Sequence, residues 1–130
     1  QAKPRYDDVV AEVGAYLARQ AALLEGAGVT SDRICIDPGI GFGKTTEHNL
    51  ELLSRLPELA GLGYPVLVGA SRKRFIGEIT GEAEPVRRLA GSITAALAAI
   101  ARGASVVRVH DVAETVQALR VWSAIEGETW

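Results

Sequence analysis

A single cysteine, Cys35, stands in a chain of 130 residues. One thiol cannot close an internal disulfide or build a cysteine-type zinc site, and it fits a reducing cytosol. Aromatic residues make up only 5% of the chain although 48% is hydrophobic, so any core is built of aliphatic layers. No run approaches the roughly 18 apolar residues of a membrane span. Neither sign of charge dominates: 14 basic against 16 acidic side chains leave a formal charge of -2. That balance points away from nucleic acid. Gln1-Ala2-Lys3-Pro4 has no apolar leader region. Methionine is absent throughout, which suggests a piece of something longer.

What is present is one domain's worth of alternating helix and strand signals. Tyr6 to Ala27 reads as a helix, with Val9, Val13, Leu17 and Leu24 on one face and Gly26 and Gly28 as its stop. Ile34 to Asp37 reads as a buried strand. Thr45 or Thr46 caps a helix carrying Leu50, Leu53 and Leu56, which Pro57 kinks or ends. Pro65 to Gly69 is a second strand, and Ser71 to Ile79 a short helical turn. A polar loop over Thr80 to Pro85 leads to a helix from Val86 to Arg102, closed by Gly103. Ser105 to Val109 is a third strand. Asp111 with Glu114 resembles a capping box for a last helix through about Ile125.

Strand starts recur every 30 to 40 residues or so, as βαβ units require, and right-handed crossovers make the three strands parallel. The fold class is therefore α/β. All three strands then end on one edge, where such folds place their chemistry. Three polar sequences converge there: Asp37 with the glycine-rich loop after it, Ser71-Arg72-Lys73-Arg74, and Arg108-Val109-His110-Asp111.

Asp37 can accept two parallel hydrogen bonds from an amidine-like edge, or simply cap its own loop. The loop Gly39-Ile40-Gly41-Phe42-Gly43-Lys44-Thr45 nearly matches a phosphate-binding P-loop, but Pro38 occupies the position of the required first glycine. It also fails the dinucleotide fingerprint, because Lys44 replaces the last glycine. Phe42 is either a ligand wall or a loop anchor. Lys73 offers a point cation, and at least one of Arg72 and Arg74 is expected to be ordinary surface. Arg108 and His110, two apart, point the same way in an extended segment and together suit an anionic leaving group. His110 could equally cap or pack. His48 is read as surface and Cys35 as packing.

Asp37-Pro38-Gly39-Ile40-Gly41-Phe42-Gly43-Lys44-Thr45, Gly69-Ala70-Ser71-Arg72-Lys73-Arg74-Phe75-Ile76-Gly77 and Arg108-Val109-His110-Asp111-Val112 resemble, in order and spacing, the three C-terminal signatures of the dihydropteroate synthase family. The resemblance covers the chain from Tyr6 onward. It implies a (β/α)8 TIM barrel of folate biosynthesis, a cytoplasmic transferase inhibited by sulfonamides. That enzyme joins a pterin bearing a methylene diphosphate to 4-aminobenzoate and releases diphosphate with the help of magnesium. By the same resemblance, Asp37 reads the pterin's aminopyrimidine edge. Lys73 contacts the pterin ring and shapes the aminobenzoate site. Gly41 and Phe42 form that pocket's wall, Arg108 stacks on the pterin face, and His110 holds the diphosphate. Lys73, Arg108 and His110 are the implied catalytic residues. Arg74 stands where some members carry a small hydroxyl near the aminobenzoate carboxylate.

A whole barrel takes about 250 residues. The resemblance makes this chain, residues 1–130, the last three βα units preceded by the fifth helix. The first five strands are absent, and with them the family's magnesium ligand. A parallel sheet with open edges and an uncovered face associates. The expectation is a homo-oligomer, through helices the family uses for its dimer, or pairing with a separately supplied first half. No metal site, nucleic acid or membrane partner is expected for this chain. Two other readings stay open: a noncatalytic assembly module or methyltransferase-like pterin-binding domain, and a P-loop phosphate binder.

Overall fold

The computed structural model describes residues 5–128. Helix α1 (Val9–Gly26) starts because Asp8 accepts the Ala11 N–H at 3.1 Å, while Glu12 reaches back to the N–H groups of Asp7 and Asp8. These bonds satisfy donors that every helix start leaves open. The chain next passes through a single 3-10 turn, Ser31–Arg33, to the segment expected as the first strand.

That strand is a correction. Only Ile36 pairs, as an isolated parallel bridge to Val66, so the described sheet has two strands rather than three. Both Ile36 ladder bonds are nonetheless present: its N–H donates to Pro65 O, and its O accepts from Leu67 N. With one neighbour on one side, nothing extends the ladder beyond that residue.

Helix α2 (Thr46–Ser54) opens on a reciprocal cap, in which Thr45 Oγ1 accepts the His48 N–H and His48 Nδ1 accepts the Thr45 N–H. The sequence assigned His48 to the surface without a partner. Here it closes the cap and sets its ring edge-on to Tyr6, with centroids 4.9 Å apart. The break at Pro57 falls two residues earlier, at Arg55, because Pro57 sits in the first turn of a new short helix, α3 (Leu56–Ala60). Proline is tolerated there because its missing N–H would be unpaired anyway.

Strand β1 (Val66–Val68) leads to α4 (Arg74–Thr80), α5 (Leu89–Ala101), β2 (Ala104–Val107) and α6 (Val112–Glu126). β1 and β2 pair in parallel, Val66 with Ala104 and Val68 with Val107, with a register shift after Val66. The helix expected from Val86 starts at Leu89, because Pro85–Arg87 forms a separate 3-10 turn and leaves Val86 exposed. Asp111 does precede α6, but its carboxylate makes no cap bond. It pairs with Arg72 instead.

The core lies between β1, α1, α2 and α3: Val9, Leu52, Leu56, Leu59, Val66 and Val68 are all within 1% of full burial. Leu24 and Leu50 fall outside it and are exposed. Cys35 is exposed too, against the expected packing role, because Ile34 and Ile36 take the inward positions on either side of it.

Candidate functional site

The glycine-rich loop is held from both ends. Gly39 and Gly41 adopt φ of +69° and +92°, values that side chains with a Cβ rarely tolerate. Between them Ile40 is fully buried in the core. Asp37 Oδ1 accepts the Gly39 N–H at 2.8 Å, folding the loop back over the strand end. Asn49, 3% exposed on α2, accepts the Gly41 N–H at 2.8 Å. Lys44 Nζ turns inward to the carbonyls of Gly39 and Phe42, at 2.9 and 3.0 Å. A lysine so engaged is not poised over a phosphate, which weakens the P-loop alternative.

The second polar sequence meets this loop. Lys73 Nζ donates to the Ile40 carbonyl and sits 4.5 Å from the Phe42 ring centroid. That is within cation–π range. Contact is close enough that a Cβ on Gly41 would lie 2.9 Å from Lys73 Cδ. Burial lowers the Lys73 pKa from the ordinary lysine value; Arg108 and Lys44 push the same way, and Asp37 opposes them. Lys44 is lowered too, by burial first, against the pull of Asp37.

The third sequence completes the rim. The Arg108 guanidinium lies over Gly69, where a Cβ would stand 2.8 Å from its Cζ, and reaches to 3.9 Å from Asp37 Oδ2. His110 Nδ1 is 2.9 Å from Ser71 Oγ, and the His110 N–H donates to the same oxygen at 3.3 Å. Asp37, Lys73, Phe42 and Arg108 are thus brought together, with His110 on the adjoining turn. Three cations, Lys44, Lys73 and Arg108, gather around one carboxylate, and such a rim favours an anionic ligand.

Arg74 is not brought to this group. Its side chain is 91% exposed and pairs along α4 with Glu78. Phe42 is 66% exposed, so the ring face turned away from Lys73 is free to meet a ligand. Sequence reasoning missed Asn49, Ser71 and Ser92 as supports. Asn49 carried a signal: it stands three residues before Leu52, on the apolar face of α2.

Strand ends that converge beyond a parallel sheet, with helices as the connections, define the class: an α/β protein whose strand–helix order matches part of a (β/α)8 barrel. The comparisons place it further. Residues 1–110 match the pterin binding enzyme family, and the chain belongs to that family. It is 54% identical over 126 residues to dihydropteroate synthase of Neisseria meningitidis serogroup C, covering 96% of this chain and 44% of that protein. Among solved structures, dihydropteroate synthase from Xanthomonas albilineans in complex with 7,8-dihydropteroate superposes with a TM-score of 0.95 at 53% identity, covering 99% of this chain and 49% of that one. The enzyme from Thermus thermophilus in complex with 4-aminobenzoate gives 0.91 at 52% identity, covering 96% and 50%. The chain therefore spans about half the length of the relatives it matches.

Proposed function

We propose that this chain is the C-terminal portion of a dihydropteroate synthase and supplies much of its pterin site. The supporting observation is the meeting of Asp37, Lys73 and Arg108 at one rim, in a chain about half identical to named dihydropteroate synthases. Asp37 has one oxygen bound to Gly39 and the other turned to Arg108, and it reads the aminopyrimidine edge. Arg108 lies over the glycine floor at Gly69 and stacks on the flat heterocycle. Lys73 and Phe42 border the aminobenzoate side, with Gly41 admitting Lys73. His110 and Arg108 take the diphosphate.

In the proposed reaction the bond between the pterin methylene carbon and the diphosphate oxygen breaks, and its electron pair leaves with the diphosphate. The cationic side chains preorganised at the rim stabilise that departing charge. The 4-aminobenzoate amine then attacks the methylene carbon and loses its proton. Magnesium aids the parent reaction in this reading. Among the described residues no group of three or more His, Cys, Asp or Glu side chains converges, so this portion builds no all-protein cage, and magnesium would arrive with the diphosphate, whose oxygens are its usual ligands.

Catalysis needs the rest of the barrel. Val106 on β2 is 43% exposed, and a parallel sheet open on one face calls for a cover. The first half of the barrel is the proposed cover, with a second copy of the protein associating through the outer helices. A cytoplasmic setting follows from the biosynthetic role; no described helix is long and apolar enough to cross a membrane.

The test is to mix this chain with a polypeptide carrying the first five βα units and assay dihydropteroate. Product is expected only from the pair, and Asp37→Asn should remove it. An equally active Asp37→Asn pair, or no pterin diphosphate binding at millimolar ligand, overturns the reading.

A further inference from the structure

Arg72 is the single residue other than glycine, among those described, with a positive φ, at 61°. The left-handed region costs an ordinary residue about 1–2 kcal/mol. Such a conformation persists only where its surroundings over-determine it. Three groups outside the turn do so. Arg72 N–H donates to Ser92 Oγ at 2.8 Å. Its carbonyl accepts from Arg88 Nη1 at 2.9 Å. Its guanidinium pairs with Asp111 at 3.0 Å.

Neither Ser92 nor Arg88 hydrogen-bonds to Asp37, Lys73 or Arg108; their side chains serve the backbone of Arg72 and the loop beyond α4. Ser92 is 5% exposed in the first turns of α5. Arg88 places each of its three guanidine nitrogens on a different backbone carbonyl: Arg72, Glu82 and Ala83. The space it occupies exists because residue 77 is glycine; a Cβ there would lie 2.5 Å from Arg88 Cζ. The residues flanking Arg72 diverge, Ser71 to His110 on one side and Lys73 to the Ile40 carbonyl on the other. A relaxed φ near -60° would redirect the chain between them, so both reaches could not be kept.

We propose that Ser92 and Arg88 are positioning residues that lock the Arg72 backbone in its left-handed form and so aim Lys73 at the glycine-rich loop. Its relevance to catalysis rests on the function proposed above; the lock itself does not. The charged groups facing Lys73 are Arg108, Asp37 and Lys44.

The chain has three lysines, Lys3, Lys44 and Lys73, so 13C-lysine labelling gives three Cε signals whose titrations are followed by NMR without ligand. In Ser92→Ala and in Gly77→Ala, whose new Cβ displaces Arg88, the Lys73 midpoint should rise toward the ordinary lysine value, with Lys44 following by a smaller shift as its cationic neighbour withdraws. Ser92→Thr, which keeps the hydroxyl, should restore it. An unmoved Lys73 in both folded variants overturns the proposal, as does a Lys44 shift as large as that of Lys73 or larger. A variant that unfolds outright also counts against it, since the anchors would then carry the fold rather than the lysine. As no substrate is added, none of these outcomes decides the proposed reaction.

Discussion

Gly69→Ala should separate the site from the fold. Gly69 is buried at the end of β1 and has no positive φ, so alanine meets no backbone strain there. Its new Cβ would stand 2.8 Å from Arg108 Cζ and 3.0 Å from Nε. The guanidinium must lift away, and with a side chain 57% exposed it has open solvent to enter. The ion pair lost is long and half-exposed, and such pairs contribute about 0–1 kcal/mol. Replacing glycine by alanine returns about 0.4–1 kcal/mol through the unfolded chain. The two nearly cancel, so urea unfolding should place the variant within about 1 kcal/mol of the parent. Binding should behave differently. A desolvated cation–π contact is worth about 2 kcal/mol, so pterin diphosphate affinity in the reconstituted pair should fall on the order of 30-fold. Calorimetric titration measures that loss. A destabilisation above about 2 kcal/mol, or unchanged affinity, would refute the view that Arg108 is a free ligand arm resting on a glycine floor.

Asn49→Ala leaves the partly buried Gly41 N–H unpaired, so urea unfolding should show a loss of about 1–3 kcal/mol, with faster amide exchange across residues 39–44. Asp8→Ala removes the α1 cap and should lower the urea midpoint. The Asp8 carboxyl is held below the usual range, first by the Ala11 N–H and then by Arg55. A carboxylate lowered in the folded state stabilises above its unfolded pKa, so the gap between parent and variant should close as pH falls below about 4. For Lys73 the slope has the same sign, although there folding favours the neutral form rather than the charged one. A lysine lowered on folding makes stability rise with pH between its folded and unfolded values. Arg108→Ala should move its midpoint up and Asp37→Asn should move it down, read by NMR titration; movement in the same direction would exclude the shared rim.

The sequence revealed the helices best where glycine or a cap marked an end, as at Gly103 with φ of +111° and at Thr45. It overcalled Ile34 to Asp37, because a buried apolar run signals a strand while a ladder needs neighbours the sequence does not display. It placed Asp37, Lys73 and Arg108 near one another from strand ends alone, and 3.9 Å between Asp37 and Arg108 fits that logic. Arg74 was beyond such reasoning: whether a cation faces the rim or pairs along its own helix depends on Glu78 four residues on. Asp111 looked like a cap until Arg72, distant in sequence, claimed its carboxylate. Long-range competition for one acceptor leaves no periodic trace.

Ile40 ties the pocket's fate to the hydrophobic interior. A glycine-rich segment usually behaves as a loose flap, yet this one carries a plug with no exposed surface. Opening it would expose an isoleucine side chain to water at a cost of about 1.5–3 kcal/mol. The binding edge should therefore melt in step with the centre of the domain on heating, and an added or deleted residue on either side of the plug should damage both together.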